Sequence, residues 1–203
     1  MSSPLHNPSP DASLGQSSGS AIEEFSREER TLLLRLAHDA IESALDRRNI
    51  SMEPPSAHMA QLRGVFTTLY LDRQLRGCVG YVFPVASLYR GVIETARSAS
   101  SEDTRFRSVT REEAPYLKVS LSVLSTLNPI EPEQVEIGRH GLVVSLAGHR
   151  GLLLPQVPVE HEWDRDTFLE QTCRKAGLPM DAWKLGATLE AFTAEVFGEE
   201  GAH

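Results

Sequence analysis

The chain is poor in cysteine and has no long apolar run. Its 203 residues contain two cysteines, Cys78 and Cys173, which excludes a disulfide framework and predicts a reducing, cytoplasmic location. No apolar run approaches the roughly 18 residues that a membrane helix needs. No basic stretch followed by an apolar block marks a secretory signal. We therefore expect neither a membrane span nor a signal peptide.

The chain also contains fewer basic than acidic residues. Lys and Arg number 20 against 28 Asp and Glu, which gives a net charge of −8. Proteins that bind nucleic-acid phosphates are basic on at least one face, so we expect no nucleic-acid partner. The hydrophobic fraction of 40% is sufficient for a packed core. Residues 1–24 are rich in Ser, Pro and Gly and predict a disordered tail, followed by a single domain over 25–200.

Sequence motifs for metals and nucleotides are missing as well. The chain has no Cys-x-x-Cys, no His-Glu-x-x-His, no Walker loop and no Gly-x-Gly-x-x-Gly. We therefore predict no metal site, and the motifs indicate no particular cofactor.

What the chain does contain is a pattern that predicts an internal repeat; the alternative is a mixed α+β domain whose hairpins merely look alike. Ser26 and Glu29 form a capping-box pattern that predicts a helix over 26–47, ahead of the repeat. Two stretches, about 60–126 and 137–198, then share the order strand, strand, helix, strand. The pattern predicts an α+β domain in which both units contribute to one curved, barrel-like, mostly antiparallel sheet. The matching segments are the first strands Arg63–Leu69 and His140–Leu146, the second strands Arg76–Pro84 and Arg150–Pro158, the helices 86–99 and 165–176, and the third strands Lys118–Ser125 and Leu189–Phe197.

The candidate chemistry is centred on Cys78 in the second predicted strand. Strand alternation places Arg76, Cys78 and Gly80 on one face and Gly77 on the other. Glycines let a ligand or another backbone approach closely, so Gly77 and Gly80 are candidate binding positions. The guanidinium of Arg76 would favour the thiolate of Cys78 and make it reactive. The alternative is that Cys78 is a small buried side chain without a chemical role.

Three further residues could share this site. Asp103 and Arg105 lie in a polar loop after the first repeated helix. They could bind an anionic substrate, or they could pair with each other and brace the loop. His140 opens the third repeated strand and could act as a base toward Cys78, or it could be an ordinary hydrogen-bonded group.

Gln156 and Glu160 complete the set of candidate binding residues. Gln156 is predicted at the end of a strand between two prolines, where its amide would face a pocket or satisfy free backbone groups. Glu160 begins the run 160–164, which is dense in possible ligand atoms. Its carboxylates could bind a ligand or favour the N-terminus of the following helix.

The segment Leu75–Gly80 resembles the hallmark Leu-Arg-Gly-Cys-Ile-Gly of the AMMECR-type domain, whose prokaryotic members are called AmmeMemoRadiSam system protein A. Val79 stands where the family usually has Ile, and Thr104 where it commonly has Pro. The resemblance covers about residues 26–199. It implies an α+β fold with a barrel-like curved sheet and duplicated elements. Further matching segments are Asp103–Phe106, Val119–Leu124, Ile137–Leu142, Leu152–Val157, Trp163–Asp164, Thr172–Leu178 and Trp183.

The same resemblance implies partners rather than a reaction. In prokaryotes the domain tends to be encoded beside, or fused to, a Memo-like protein and a radical S-adenosylmethionine protein. We therefore expect a partner or substrate-handling subunit of these two proteins, with a small molecule as a possible ligand. The alternative hypothesis is a small thiol-dependent enzyme in which Cys78 is the nucleophile or redox thiol and His140 its base.

Overall fold

The computed structural model describes residues 24–202. The predicted disordered tail lies outside this range except for Glu24, which forms an ion pair with Arg63. No helix within the described range is long and apolar enough to cross a membrane. The helices are α1 (Arg27–Leu45), α2 (Leu88–Ser101), α3 (Gln156–Glu160) and α4 (Arg165–Lys175), and the strands are β1 (Val65–Leu71), β2 (Gln74–Tyr81), β3 (Lys118–Leu124), β4 (Asn128–Pro129), β5 (Gly141–Leu146), β6 (His149–Leu153), β7 (Thr188–Phe192) and β8 (Ala194–Gly198).

The strands form two antiparallel sheets of four strands each. The first sheet has the order β2-β1-β3-β8 and the second has the order β4-β7-β5-β6. The prediction of a mixed α+β fold with an N-terminal helix is confirmed, whereas the prediction of one shared, barrel-like sheet is wrong. Both sheets have the first strand of their unit between the second and the third. This common order agrees with an internal duplication, which stays a prediction.

Local sequence signals set the ends of the main helices. Ser26 accepts a hydrogen bond from the Glu29 amide, while the Glu29 carboxylate accepts one from the Ser26 amide, so the predicted capping box starts α1. Ser87 caps α2 by accepting from the Arg90 amide, and Asp164 caps α4 by accepting from the Thr167 amide. These helices fall within about two residues of the predicted ones.

Each sheet buries one face under its own helices. The first core lies between the first sheet and helices α1 and α2, and it includes Val65, Leu69 and Leu121. The second core lies between the second sheet and α4, and Leu142 and Phe168 belong to it. Apolar side chains also join the two sheets at one corner, where Leu124, Val143 and Phe192 are buried together with Phe66, Val82, Leu127, Leu152, Leu154 and Ala194 around them.

The chain crosses between the sheets at two points. After β3 it leaves the first sheet and adds β4 to the second, and after β7 it leaves the second sheet and adds β8 to the first. The predicted single strand Leu189–Phe197 is therefore two strands in different sheets, separated at Thr193. The crossings are hydrogen-bonded to each other, since the Ser125 amide donates to the Thr193 carbonyl and the Thr193 amide donates to the Ser125 hydroxyl.

Candidate functional site

Cys78 lies on the face of the first sheet that points away from the helices. In the register of the sheet, Cys78 is opposite Thr68, Thr68 is opposite Ser120, and Ser120 is opposite Gly198. The neighbouring row brings Ser122 and Val196 to the same face. We call the surface formed by Thr68, Cys78, Ser120, Ser122 and Val196 the open face, because Val196 at its edge is 56% exposed.

The thiol of Cys78 has one hydrogen-bond partner on this face. The Thr68 hydroxyl donates to the Cys78 Sγ at 3.2 Å, and the thiol is half-buried. Ser120 is only 5% exposed, yet its hydroxyl forms no hydrogen bond with another residue in the described range. Thr68 lies between Ser120 and Cys78 in the register, and the Ser120 hydroxyl is not one of the fully buried polar atoms that lack a partner in the described range.

The backbone of Cys78 is held by Asp103 and Arg105, which we call the edge clamp. The Cys78 amide donates to Asp103 Oδ2 at 2.9 Å, and Arg105 Nη2 donates to the Cys78 carbonyl at 3.3 Å. The two side chains are paired with each other at 2.7 and 2.9 Å. Because β2 is an edge strand, these bonds satisfy backbone groups that would otherwise have no strand partner. Of the two roles predicted for Asp103 and Arg105, the structure shows the bracing one.

The electrostatics of the edge clamp follow from this geometry. The Arg105 guanidinium, together with the donated Cys78 amide, holds the pKa of the Asp103 carboxyl far below its usual value. Asp103 in turn raises the pKa of Arg105, and the nearby Cys78 adds to this effect when it carries a negative charge. Arg105 is therefore the cation that is bonded to the Cys78 backbone.

The guanidinium of Arg76 is bonded to other groups, and its predicted effect on the Cys78 thiol stays a prediction. The Arg76 guanidinium pairs with Glu113 at 3.0 Å and donates to the carbonyls of Arg107 and Ser108. The physical reason is an irregularity in the pairing of β1 with β2, between Leu69 and Tyr70, that interrupts strict alternation at Arg76. Arg76 lowers the pKa of Glu113 and fixes the loop that carries the edge clamp.

Gly77 and Gly80 have packing roles. A Cβ on Gly77 would lie 2.1 Å from the carbonyl oxygen of Ala99, so the glycine lets β2 approach helix α2. A Cβ on Gly80 would lie 2.4 Å from the ring of Phe66, which covers this glycine on the open-face side. The sequence predicted that a ligand or another part of the backbone comes close to these glycines. At both positions the close neighbour is a residue of the protein, Ala99 at Gly77 and Phe66 at Gly80.

His140 is engaged at the turn before β5. Its Nδ1 accepts a hydrogen bond from the Glu136 amide at 3.1 Å, which leaves the proton of a neutral ring on Nε2. Burial lowers the pKa of His140. Among the described residues no hydrogen bond joins His140 to Cys78, and its role as a base stays a prediction.

Gln156 and Glu160 lie at the two ends of the short helix α3. Gln156 therefore opens a helix and does not end a strand, because β6 stops at Leu153. Both side chains are exposed, and neither is hydrogen-bonded to Cys78 within the described range. The helix-favouring carboxylate in the run 160–164 is that of Asp164, the cap of α4.

Sequence reasoning missed Thr68 and Ser120. Both lie in predicted strands with the alternation that places every second residue on one face, so the signal was present in the pattern. What the pattern could not give is the register that brings them beside Cys78. Within residues 24–202, no group of three or more His, Cys, Asp or Glu side chains could hold a metal ion.

The fold and the strand containing Cys78 define a class of protein. The family model AMMECR1 matches residues 34–197, which is most of the chain and includes both sheets. The chain therefore belongs to the AMMECR1 family.

Relatives and a solved structure support this assignment. A protein of Methanopyrus kandleri is 41% identical over 190 residues, covering 88% of this chain and 92% of the relative. A protein of Thermococcus gammatolerans is 44% identical over 183 residues, covering 83% and 89%. The crystal structure of an uncharacterised protein from Pyrococcus horikoshii has a TM-score of 0.62 at 40% identity and covers 83% of this chain and 90% of that one.

Proposed function

We propose that this protein is a substrate-handling or partner subunit that acts with a Memo-like protein and a radical S-adenosylmethionine protein. In this proposal the open face around Cys78 is the surface that meets the substrate or the partner. The protein does not carry out a complete reaction alone.

The observation that carries the proposal is the contrast between the clamped backbone of Cys78 and its half-buried thiol, which is not covered completely. Asp103 and Arg105 fix the amide and carbonyl of Cys78, so the position of its thiol is set before anything binds. On the same face, two strands away on β3, the hydroxyls of Ser120 and Ser122 have no hydrogen-bond partner among the described residues. A preorganised surface with free hydrogen-bonding capacity is suited to recognition.

The surroundings of the thiol favour binding over independent catalysis. A cysteine nucleophile is ordinarily activated by a base within hydrogen-bond reach. In the described range, the group bonded to the Cys78 sulfur is the Thr68 hydroxyl, and Nδ1 of His140 is occupied by the Glu136 amide. A partner that supplies the missing reactive group fits this arrangement.

Binding between purified full-length proteins tests the proposal. The three proteins from one organism are mixed, and complex formation is followed by size-exclusion chromatography with light scattering and by titration calorimetry. We expect a complex, and we expect Val196→Glu on the open face to weaken it about tenfold or more, since a charge buried at an interface is costly.

Val159→Glu is the matched control, because Val159 lies on α3 and is 54% exposed against 56% for Val196. It should leave the affinity unchanged. The absence of any complex, or equal weakening by the two substitutions, would contradict the proposal.

A thiol-dependent reaction is the second candidate, and the hydrogen bond from Thr68 to the sulfur favours it. The Thr68 hydroxyl donates to the Cys78 sulfur at 3.2 Å and would orient it toward a bound electrophile. We expect iodoacetamide to alkylate Cys78 faster than it alkylates glutathione at pH 7.5, with Cys78→Ser removing the reaction. Thr68→Val should slow the alkylation about tenfold, the value of one hydrogen bond to a charged group. Ser122→Ala is the control, and equal rates in both variants would argue against this chemistry.

A further inference from the structure

A groove lies in the second unit, between the end of β6 and one side of α4. It has a volume of about 340 Å³ and is lined by Leu153, Trp163, Gln171, Arg174 and Lys175. None of these residues belongs to the open face, and the proposed function does not use them.

The groove is open because the second unit lacks a segment that the first unit has. In the first unit, residues 102–113 follow α2, and they cover the edge of β2 through the edge clamp and through Glu113. In the second unit, residues 176–181 connect α4 to the turn Ala182–Lys184. In the described range no hydrogen bond joins the backbone of β6 to a segment other than β5. The flank of β6 is thus available to something outside the described chain.

The lining has an apolar part and a cationic part. Leu153 and Trp163 are half-buried, and the Trp163 ring is stacked on His161 with the ring centroids 4.7 Å apart, so at most one face of the indole can contact an apolar group. Arg174 and Lys175 are exposed, and neither side chain has an ion-pair or hydrogen-bond partner among the described residues. Gln171 is three and four residues ahead of them on α4, on the same side of the helix, and its amide is also unpartnered.

We propose that this groove binds a small amphiphilic anion, an aliphatic or aromatic body that carries a carboxylate. The apolar body lies against Leu153 and Trp163, and the carboxylate is bound by Arg174 and Lys175. Glu170 lies four residues before Arg174 on α4, but it forms no ion pair with Arg174 or Lys175 among the described residues. The volume corresponds to the small end of ligand sites in proteins. The chain as a whole has a net charge of −8, so two adjacent cations beside apolar side chains form a local site for an anion.

Titration of the full-length protein with decanoate and with 2-naphthoate tests this site. Binding is measured by calorimetry and by the fluorescence of Trp163, with Trp163→Phe identifying its share of the signal. We expect saturable binding of at least one of the two carboxylates, and which one binds tells whether the body is aliphatic or aromatic. The neutral analogues 1-decanol and 2-naphthalenemethanol should bind about tenfold more weakly, because they lack the charge that pairs with the two cations.

The double substitution Arg174→Glu with Lys175→Glu should weaken binding about tenfold or more. Arg35→Glu with Arg47→Glu is the matched control, because it changes the net charge equally at two exposed positions in and just after α1, outside the second unit. Affinity in the control should stay within about twofold. No saturable binding by either carboxylate, equal affinity for the neutral analogues, or equal weakening by the two double variants would overturn the proposal.

Discussion

At the residue scale, the most informative contact is the one that Asp103 makes. This carboxylate is 6% exposed, although it follows a helix in a polar loop. It accepts from Arg105 and from the Cys78 amide, and both contacts favour its ionised form. The sequence offered two roles for Asp103 and Arg105 and could not decide between them, because the outcome depends on whether the loop reaches the edge of β2.

Asp103→Asn should destabilise the protein at pH 7, with an effect that shrinks as the pH falls. The folded state lowers the pKa of Asp103, so the stabilisation is complete above the ordinary carboxyl pKa of about 3.9 and is lost as the pH drops through the lower folded value. Urea unfolding of the wild type and the variant at pH 7, 5, 4 and 3 measures this difference. Asp39→Asn, at an exposed position of α1, serves as the control. A difference that is constant with pH would contradict the assignment.

At the element scale, the repeated Arg-Gly pair has a packing explanation. Gly77 in β2 approaches the carbonyl of Ala99 at the end of α2, and Gly151 in β6 approaches the amide of Ala176 just after α4. In both units the glycine sits where the second strand passes beneath its helix. The sequence showed that these positions correspond, and the structure adds the reason why neither tolerates a side chain.

Gly77→Ala should therefore cost about 1–3 kcal/mol in the free energy of unfolding, the usual penalty for a side chain that forces packed elements apart. Gly151→Ala should have a similar effect, because its Cβ would lie 2.2 Å from the Ala176 amide nitrogen. Chemical denaturation of each variant measures the cost. Gln74→Ala, at an exposed position of β2, should change stability by less than about 0.5 kcal/mol. If the Gly77→Ala variant has the same free energy of unfolding as the Gln74→Ala variant, the packing role of Gly77 is contradicted.

Elements were predictable to different degrees, for physical reasons that particular residues illustrate. The caps Ser26 and Asp164 act on amides three residues away, so local sequence determines where α1 and α4 begin. The break at Thr193 depends on Ser125, which is 68 residues away and receives the Thr193 amide. The alternating pattern of residues 189–197 continues through Thr193, so it predicts one strand. The structure has two strands there, β7 in the second sheet and β8 in the first. Thr68 and Ser120 were not predicted as site residues for the same reason, because their position relative to Cys78 depends on pairing between strands that are distant in sequence.

The crossing point itself can be tested by substitution. Ser125→Ala removes the acceptor of the part-buried Thr193 amide, and an unsatisfied amide of this kind costs about 1–3 kcal/mol. Thermal and urea unfolding measure the loss. Ser122→Ala, three residues earlier and without a side-chain partner in the described range, provides the comparison. Equal stabilities of the two variants would show that the crossing does not need this bond.

At the scale of the whole molecule, the two units exchange strands. The last strand of the second unit completes the first sheet, and residues after the third strand of the first unit extend the second sheet. Buried side chains such as Leu124 and Phe192 then join the sheets at their common corner. Neither sheet has all its strands without the other half of the chain.

Because of this exchange, residues 24–202 should unfold in one cooperative transition. Both tryptophans, Trp163 and Trp183, lie in the second unit and report on it by fluorescence, whereas far-ultraviolet circular dichroism reports on both units. The two urea curves should coincide, and a fragment spanning 24–126 should not unfold cooperatively, because it lacks β8. Two separated transitions would contradict this prediction.

The position of β8 also determines when the protein can fold during its synthesis. Residues 194–198 pair with β3, which leaves the ribosome some seventy residues earlier. The first sheet stays one strand short until residue 198 has been translated, and Val123 and Leu124 have no β8 partner during that time. The first sheet of a nascent chain can therefore be completed only after β8 has been made. A premature stop before residue 194 removes a strand from the half of the molecule that was made first.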